Sequence, residues 1–464
     1  MQPRSGGRRS PATGQEGPER LVSGLAHDGR GVIRLDQGVV FVEGVLPGER
    51  VHLQLRQEGG RRVHAELLAR LSSSQDRCRP PCILAERCGG CSLQHLALQA
   101  QRLWKRQKVI DSLERIGHFT GLEDCVAPTR GSGNGMGYRN RAILPLERTA
   151  DGRIRAGYYR KGSHRIVNLN QCPVLDPRLD GLIAPIKQDL ESGGWPVDRH
   201  LSDGGGLRHL ALRVGHHSGE VLITLVSSRA DLPGLEQLAR LWLNRWPEVV
   251  GVCLNLQPNP TNVLLGPLTS CLAGQDHLRE QFAGLSYRIG ADSFFQVNTP
   301  MAEQVVPLML AALAPQGTGN LVDAYCGIGT YGLPLAAAGW RVLGLELGAA
   351  AVALATANAG INGLADRTRF SVGAVAELLA GALVAADALV LDPPRKGLEP
   401  GVVEAILAAP PPTVLYLSCD PATLARDLAR LCGAGLPYQL LQVQPLDFFP
   451  QTSHVECLAV LRHP

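Results

Sequence analysis

The chain has 464 residues, a net charge of +4 and 45% hydrophobic residues, with no apolar run as long as a membrane-spanning helix, so a helical membrane protein is excluded and two or three soluble domains are expected. Charge is uneven: residues 1–180 hold 29 Lys+Arg against 18 Asp+Glu, and residues 181–464 hold 17 against 24, so a basic front (+11) suited to a polyanion precedes an acidic back (−7). Twelve cysteines without an export signal point to a reducing, cytoplasmic setting, where thiols bind metal or react.

Residues 1–18 read as a flexible basic tail; Arg8-Arg9 is followed by no apolar core and is not a twin-arginine leader. Residues 19–77 alternate short apolar runs (31–35, 39–42, 51–55 and 63–67) with turn residues, which predicts a small closed barrel of the OB type. Next comes Cys82-x5-Cys88-x2-Cys91, with Cys172 downstream in Asn170-Gln171-Cys172-Pro173. Four thiolates able to converge are the ligand set of a zinc ion or an iron–sulfur cluster. A helix is predicted over 97–117, with Leu103, Ile110, Leu113 and Ile116 on one side and Lys105, Arg106 and Lys108 elsewhere. Residues 130–165 read as irregular and basic. Nine Arg or Lys residues are interleaved there with Tyr138, Tyr158 and Tyr159, a composition suited to phosphates and unpaired bases, though also to strands with a solvated basic face.

From about Val305 a strand–helix rhythm sets in, with strands predicted at 320–325, 341–346, 388–392 and 413–418. This is a doubly wound parallel sheet, whose ligands sit beyond the carboxyl ends of its strands. The first strand runs into Gly327-Ile328-Gly329-Thr330-Tyr331-Gly332, which lets backbone approach a nucleotide-like ligand, and Glu346 ends the next, where a carboxylate can hold ribose hydroxyls. These features serve NAD and S-adenosylmethionine equally. The later strand ends separate the two. Asp392-Pro393-Pro394-Arg395 and Ser418-Cys419-Asp420-Pro421 put a rigid carboxylate loop and a cysteine at the ligand edge, where hydride transfer has no use for a thiol. Glu456 precedes a final strand at 458–461.

Taken together, these motifs closely resemble the S-adenosylmethionine-dependent RNA uracil-5-methyltransferases, in particular the iron–sulfur-containing 23S rRNA type. The resemblance runs from residue 19 onward through Cys88-Gly89-Gly90-Cys91, Gly137-Tyr138-Arg139-Asn140-Arg141, Phe294-Phe295-Gln296-Val297-Asn298, Asp323-Ala324-Tyr325-Cys326-Gly327 and the Asp392, Cys419 and Glu456 motifs. It implies a TRAM barrel over 19–77, a central α+β domain over 78–290 and a Rossmann-like class I methyltransferase domain over 291–464. It also implies a 4Fe–4S cluster on Cys82, Cys88, Cys91 and Cys172, with cofactor contacts from Gln296, Tyr325, Thr330, Glu346 and Asp392. Cys419 falls on the nucleophile and Glu456 on the base. The partner implied is a looped or unstacked uridine of 23S rRNA, with no DNA, no membrane and a monomeric enzyme; a tRNA substrate and a non-catalytic RNA-binding protein are the rivals. Thr330 stands where some members have Asn, Gly373-Ala374 offers no side chain where relatives have Asn or Asp, and Cys78 matches no ligand position.

Overall fold

The computed structural model describes residues 19–35, 38–58, 62–200 and 204–463; the expected tail and the turns at 36–37 and 59–60 lie outside them. The chain divides into two compact units, one reaching Arg79 and taking in Ser92–Ala97, the other formed by Pro80–Cys91 and the chain from Leu98 onward. Among the described residues no helix is long and apolar enough to cross a membrane.

In the first unit five antiparallel strands are ordered Gly38–Val42, Gly31–Leu35, Glu19–Leu25, Arg50–Glu58, Arg62–Arg70, and the two outer strands approach each other, so the sheet curls. Alternate residues (Val22, Ile33, Val40, Val42, Val51 and Leu53) turn to one face and form its core, as strand periodicity requires. The buried Glu49 carboxylate closes this unit by accepting from the Leu46 amide (2.8 Å) and from Arg77. Burial opposes its charge, but these donors hold its pKa below the ordinary value.

In the second unit a six-stranded sheet runs Leu268–Gly274, Val249–Leu256, Val221–Ser227, Leu207–Val214, Arg141–Arg148, Ile154–Ala156. Of the two readings of 130–165, the strand holds over Arg141–Arg148, where Arg141, Ile143 and Pro145 stand directly opposite Arg213, Ala211 and His209. Helices Pro177–Gly193 and Leu235–Arg245 cover its apolar face.

The C-terminal sheet has seven strands, ordered Thr368–Val372, Arg341–Glu346, Asn320–Ala324, Ala388–Leu391, Thr413–Ser418, Glu456–Arg462, Gln439–Leu446. All pairs are parallel up to Thr413–Ser418, and Glu456–Arg462 then runs antiparallel between its two neighbours. Successive residues go to opposite cores: Leu321, Val390 and Leu415 to one, Val322, Leu389 and Val414 to the other. The chain winds outward from Asn320–Ala324 in one direction and then in the other. A topological switch point, with its crevice, therefore lies between that strand and Ala388–Leu391.

The predicted helix is Leu98–Arg115, but its inward face differs from the one expected. Leu103 is 64% exposed and Ile116 42% exposed, whereas Gln101, Lys105, Val109, Ile110 and Leu113 are buried. Lys105 has no exposed surface because its ammonium donates to Asp447 (2.5 Å) and to the Phe449 carbonyl (3.0 Å). Breaking one side of a buried pair leaves the other charge uncompensated. Lys105→Ala is therefore expected to lower unfolding free energy by about 3–5 kcal/mol, read as a fall in the urea midpoint. An unchanged midpoint would show that this pair does not secure the helix.

Candidate functional site

Four strands deliver side chains to the carboxyl edge at the switch point. Asn320–Ala324 ends at Tyr325, whose φ of +65° is left-handed and turns the chain sharply into the glycine loop. At Gly327 (φ +56°) a Cβ would meet nothing within 4 Å, so this loop borders open space, as a cradle for a ligand must. Glu346 ends the neighbouring strand, and its carboxylate accepts from the amides of Gly327 (3.1 Å) and Gly348 (2.8 Å). The loop is held from behind by Tyr287, whose buried hydroxyl donates to the Gly329 and Thr330 carbonyls at 3.3 Å each, and by Asn358, which donates to the Ile328 carbonyl (3.2 Å). Thr330 is buried there, and Cys326 packs toward Gly344, where an added Cβ would lie 2.7 Å from its sulfur.

Ala388–Leu391 ends at the half-buried Asp392, and Thr413–Ser418 ends at the half-buried Cys419. Because Glu456–Arg462 is antiparallel, its first residue falls at the same edge: Cys457 pairs with Ser418, so Glu456 arrives beside Cys419. The electrostatics agree with this proximity. Loss of water pushes the Cys419 thiol up to about 11, the charges of Glu456 and Asp392 add to the rise, and Arg395 opposes it. Desolvation, then Asp392, raises buried Glu456 to about 8, again against Arg395, and desolvation raises Asp392 to about 7. Beneath them Asp323 is buried, with one carboxylate oxygen unpartnered among the described residues, and is raised to about 8 by desolvation and then by Asp392. Several carboxyl groups thus cluster at this edge beside the Arg395 guanidinium. Such a site favours a cationic guest.

Gln296 is buried, and its carbonyl accepts from Asn140 (2.9 Å), which also donates to Thr299 (2.9 Å). Asn298 caps the next helix and donates to the Phe448 carbonyl (3.0 Å), tying this segment to the loop that leads to Glu456. Sequence reasoning assigned no role to Arg395, Tyr287, Asn140 or Asp323. Arg395 and Asp323 lay within motifs already singled out, whereas Tyr287 carries no local signal.

The cysteine segment docks on the strand-like stretch 158–161: the Gly89 amide donates to the Tyr159 carbonyl (2.8 Å) and the Lys161 amide to Arg87 (3.1 Å). The Cys88 sulfur accepts from the Gly90 amide (3.4 Å). Burial raises the Cys172 thiol to about 12, with Cys91 and Cys88 contributing, and Cys88 is raised by burial with a contribution from Cys82. The four thiols therefore lie near enough to feel one another. Yet among the described residues no group of three or more His, Cys, Asp or Glu is arranged to hold a metal ion. The donor chemistry suits a cluster; the described geometry does not close on one point.

Comparison with known proteins shows what the chain as a whole is similar to. Residues 273–463 match the family model described as tRNA (uracil-5-)-methyltransferase. The chain is 53% identical, over 94% of its length and 94% of the relative's, to an uncharacterized RNA methyltransferase of Parasynechococcus marenigrum. It is 46% identical to one of Nostoc, over 96% of this chain and 95% of that one. Among solved structures it is similar to the tRNA (uracil-54, C5)-methyltransferase of Pyrococcus abyssi in complex with S-adenosyl-L-homocysteine. That match has 28% identity and a TM-score of 0.75, and it covers 96% of this chain and 99% of the other.

Proposed function

Because the chain belongs to the S-adenosylmethionine-dependent RNA (uracil-5-)-methyltransferase family, we propose that it methylates carbon 5 of a specific uridine in 23S rRNA by way of a covalent cysteine adduct. The observation carrying this reading is the meeting of Cys419 and Glu456 at the switch-point edge, beside Asp392. The crevice fits the cofactor: an open glycine loop, the Glu346 carboxylate, and acidic groups facing a space that a sulfonium would neutralise. Gln296, Tyr325, Thr330, Glu346 and Asp392 would hold it. When bound, S-adenosylmethionine supplies an electrophilic methyl group.

Carbon 5 of uracil is a weak nucleophile, so the chain must activate it. The Cys419 thiolate adds to carbon 6, forming a carbon–sulfur bond and moving the 5,6 π electrons into an enolate. Carbon 5 of that enolate would take the methyl group, a carbon–carbon bond forming as the methyl–sulfur bond breaks and a neutral thioether departs. Glu456 then removes the carbon 5 proton, the 5,6 double bond re-forms, and the Cys419 thiolate leaves. Attack on the ring face requires an unstacked target base.

We read Cys82, Cys88, Cys91 and Cys172 as ligands of a structural 4Fe–4S cluster, and the N-terminal strands as a TRAM-type RNA-binding barrel on a monomeric cytoplasmic enzyme. The soft four-thiol donor set and the docking of its loop on 158–161 support this reading, while among the described residues the thiols do not close on one point. Protein purified without oxygen is expected to carry about four irons and equivalent sulfide per chain; iron-free active protein would remove the cluster from the scheme.

A tRNA substrate is the second reading. The similar tRNA enzyme spans 96% of this chain, so the N-terminal strands do not by themselves separate the two substrates. Mapping 5-methyluridine in ribosomal and transfer RNA from cells with and without this gene decides between them. Loss at a 23S position is the expected result, loss in tRNA moves the substrate, and no loss anywhere overturns the activity.

A further inference from the structure

We propose that the face of the six-stranded sheet next to Gln296 is a second RNA site, a pocket that seats one unpaired nucleotide flanking the target uridine. The proposal rests on the reading of the substrate as RNA and adds a recognition element that the methyl-transfer machinery does not contain.

The floor of the pocket follows from strand register. Arg141, Ile143 and Pro145 lie two residues apart and so share a face with their cross-strand partners Arg213, Ala211 and His209. Tyr158, Tyr159 and Leu264 stand around this floor, enclosing a cavity of about 370 Å³, at the small end of the roughly 300–1,000 Å³ typical of single-ligand sites. Among the described residues no carboxylate lines it, whereas Arg139 and Arg141 do.

The polar atoms here are incompletely used. One terminal nitrogen of Arg141, Nδ1 of His209 and the Tyr158 hydroxyl are buried without a hydrogen-bond partner among the described residues, as are two guanidinium nitrogens of neighbouring Arg213. His209 itself is only 4% exposed. Buried donors are normally satisfied, and a cluster left open around a cavity is what a polar guest would complete. Loss of water, with Arg208 and Arg199 nearby, holds the His209 imidazole down to about 4, so it enters as a neutral ring that accepts or donates rather than as a charge. Aromatic walls and guanidinium planes suit the faces of a base, and the open N–H groups suit its carbonyl or ring-nitrogen edge.

Position ties the pocket to the reaction. Val297 lines it, and the preceding residue is Gln296, while Asn140 clamps both through Nδ2 to the Gln296 carbonyl and its amide to the Val297 carbonyl (2.9 Å each). On the other side, a Cβ on Gly90 of the cysteine loop would come within 3.3 Å of the Tyr158 ring, so that loop props the pocket wall.

The test uses the full-length protein, with total RNA from cells lacking the gene as probe. Leu264→Trp adds bulk at a lining position that is 41% exposed, and Tyr159→Ala removes a half-buried wall. Both are expected to raise the RNA dissociation constant in filter binding, and the KM for RNA, about tenfold. Affinity for S-adenosylmethionine and the rate at saturating RNA should stay within about twofold. RNA affinity unchanged in both variants would overturn the pocket, as would parallel loss of S-adenosylmethionine binding in both, which marks a fold-wide effect. Wild-type protein that binds RNA but never methylates it would sink the functional reading instead and leave the pocket to the binding data.

Discussion

Cys419→Ala is expected to reduce methyl transfer by at least about 10⁴-fold while RNA binding persists, because a covalent route has no substitute for its nucleophile. The substitution removes a single sulfur from a loop secured by other groups. Asp420 caps the following helix by accepting from the Ala422 and Thr423 amides at 2.9 Å each, and Ser418 donates to the Asp420 carbonyl (3.2 Å). The thiol rests at about 11, so little thiolate exists at neutral pH before the site fills; burial is the main cause, followed by Glu456 and Asp392. Arg395 already works in the other direction, and a cationic guest beside the same carboxyls would lower the thiol further. Methyl incorporation and RNA retention, measured side by side, check the expectation. Turnover above background in the alanine variant would sink the covalent scheme.

Glu456→Gln is expected to let the first steps run and to block the last, accumulating methylated RNA bound covalently to Cys419 and slowing release by about 10²–10⁴-fold. Glutamine keeps the shape of a side chain that is only 6% exposed but cannot take a proton. A pH signature accompanies the mechanism. Glu456 works as a base only when ionised, and burial with Asp392 nearby raises it to about 8, so the wild-type release rate should climb from pH 6, reach half its plateau near 8 and level above that. In the glutamine variant that climb should disappear. Free methylated product at an undiminished rate, or an unchanged pH profile, would take the base role away from Glu456.

The same electrostatics explain which parts of this protein could be read from its residues. Strands 341–346 and 413–418 were legible to the residue, because buried parallel strands are continuous apolar runs, and the chemistry sits where those runs stop. Thr368–Val372 and Gln439–Leu446 were not legible. They form the two edges of the sheet, and their mixed polar and apolar sequences follow from partial exposure. The strand Arg141–Arg148 was legible only as an alternative to irregular chain, because its terminal arginines and Pro145 mask the run, and its pairing with Leu207–Val214 decides for the strand. Lys105 looked like a solvated residue because its partner Asp447 is 342 positions away. The supports of the site share that property: Asn140 reaches Gln296 across 156 residues and Tyr287 reaches Gly329 across 42. Local pattern names the groups that react, and distant backbone carbonyls hold them in place. The four cysteines are a partial case, since spacing identifies a soft donor set without fixing where its members point.

One feature of the seven-stranded sheet bears on how the protein comes into being. The strand carrying Glu456 lies between Thr413–Ser418 and Gln439–Leu446, both of which leave the ribosome before it. A nascent chain therefore owns its thiol and its glycine loop while a slot in the sheet is still empty, and insertion of an inner strand must complete both the core and the meeting of Cys419 with Glu456. On the proposed scheme, chemical competence and structural completion arrive in the same event, so a chain interrupted upstream of Glu456 would hold the proposed nucleophile without the group proposed to release its product.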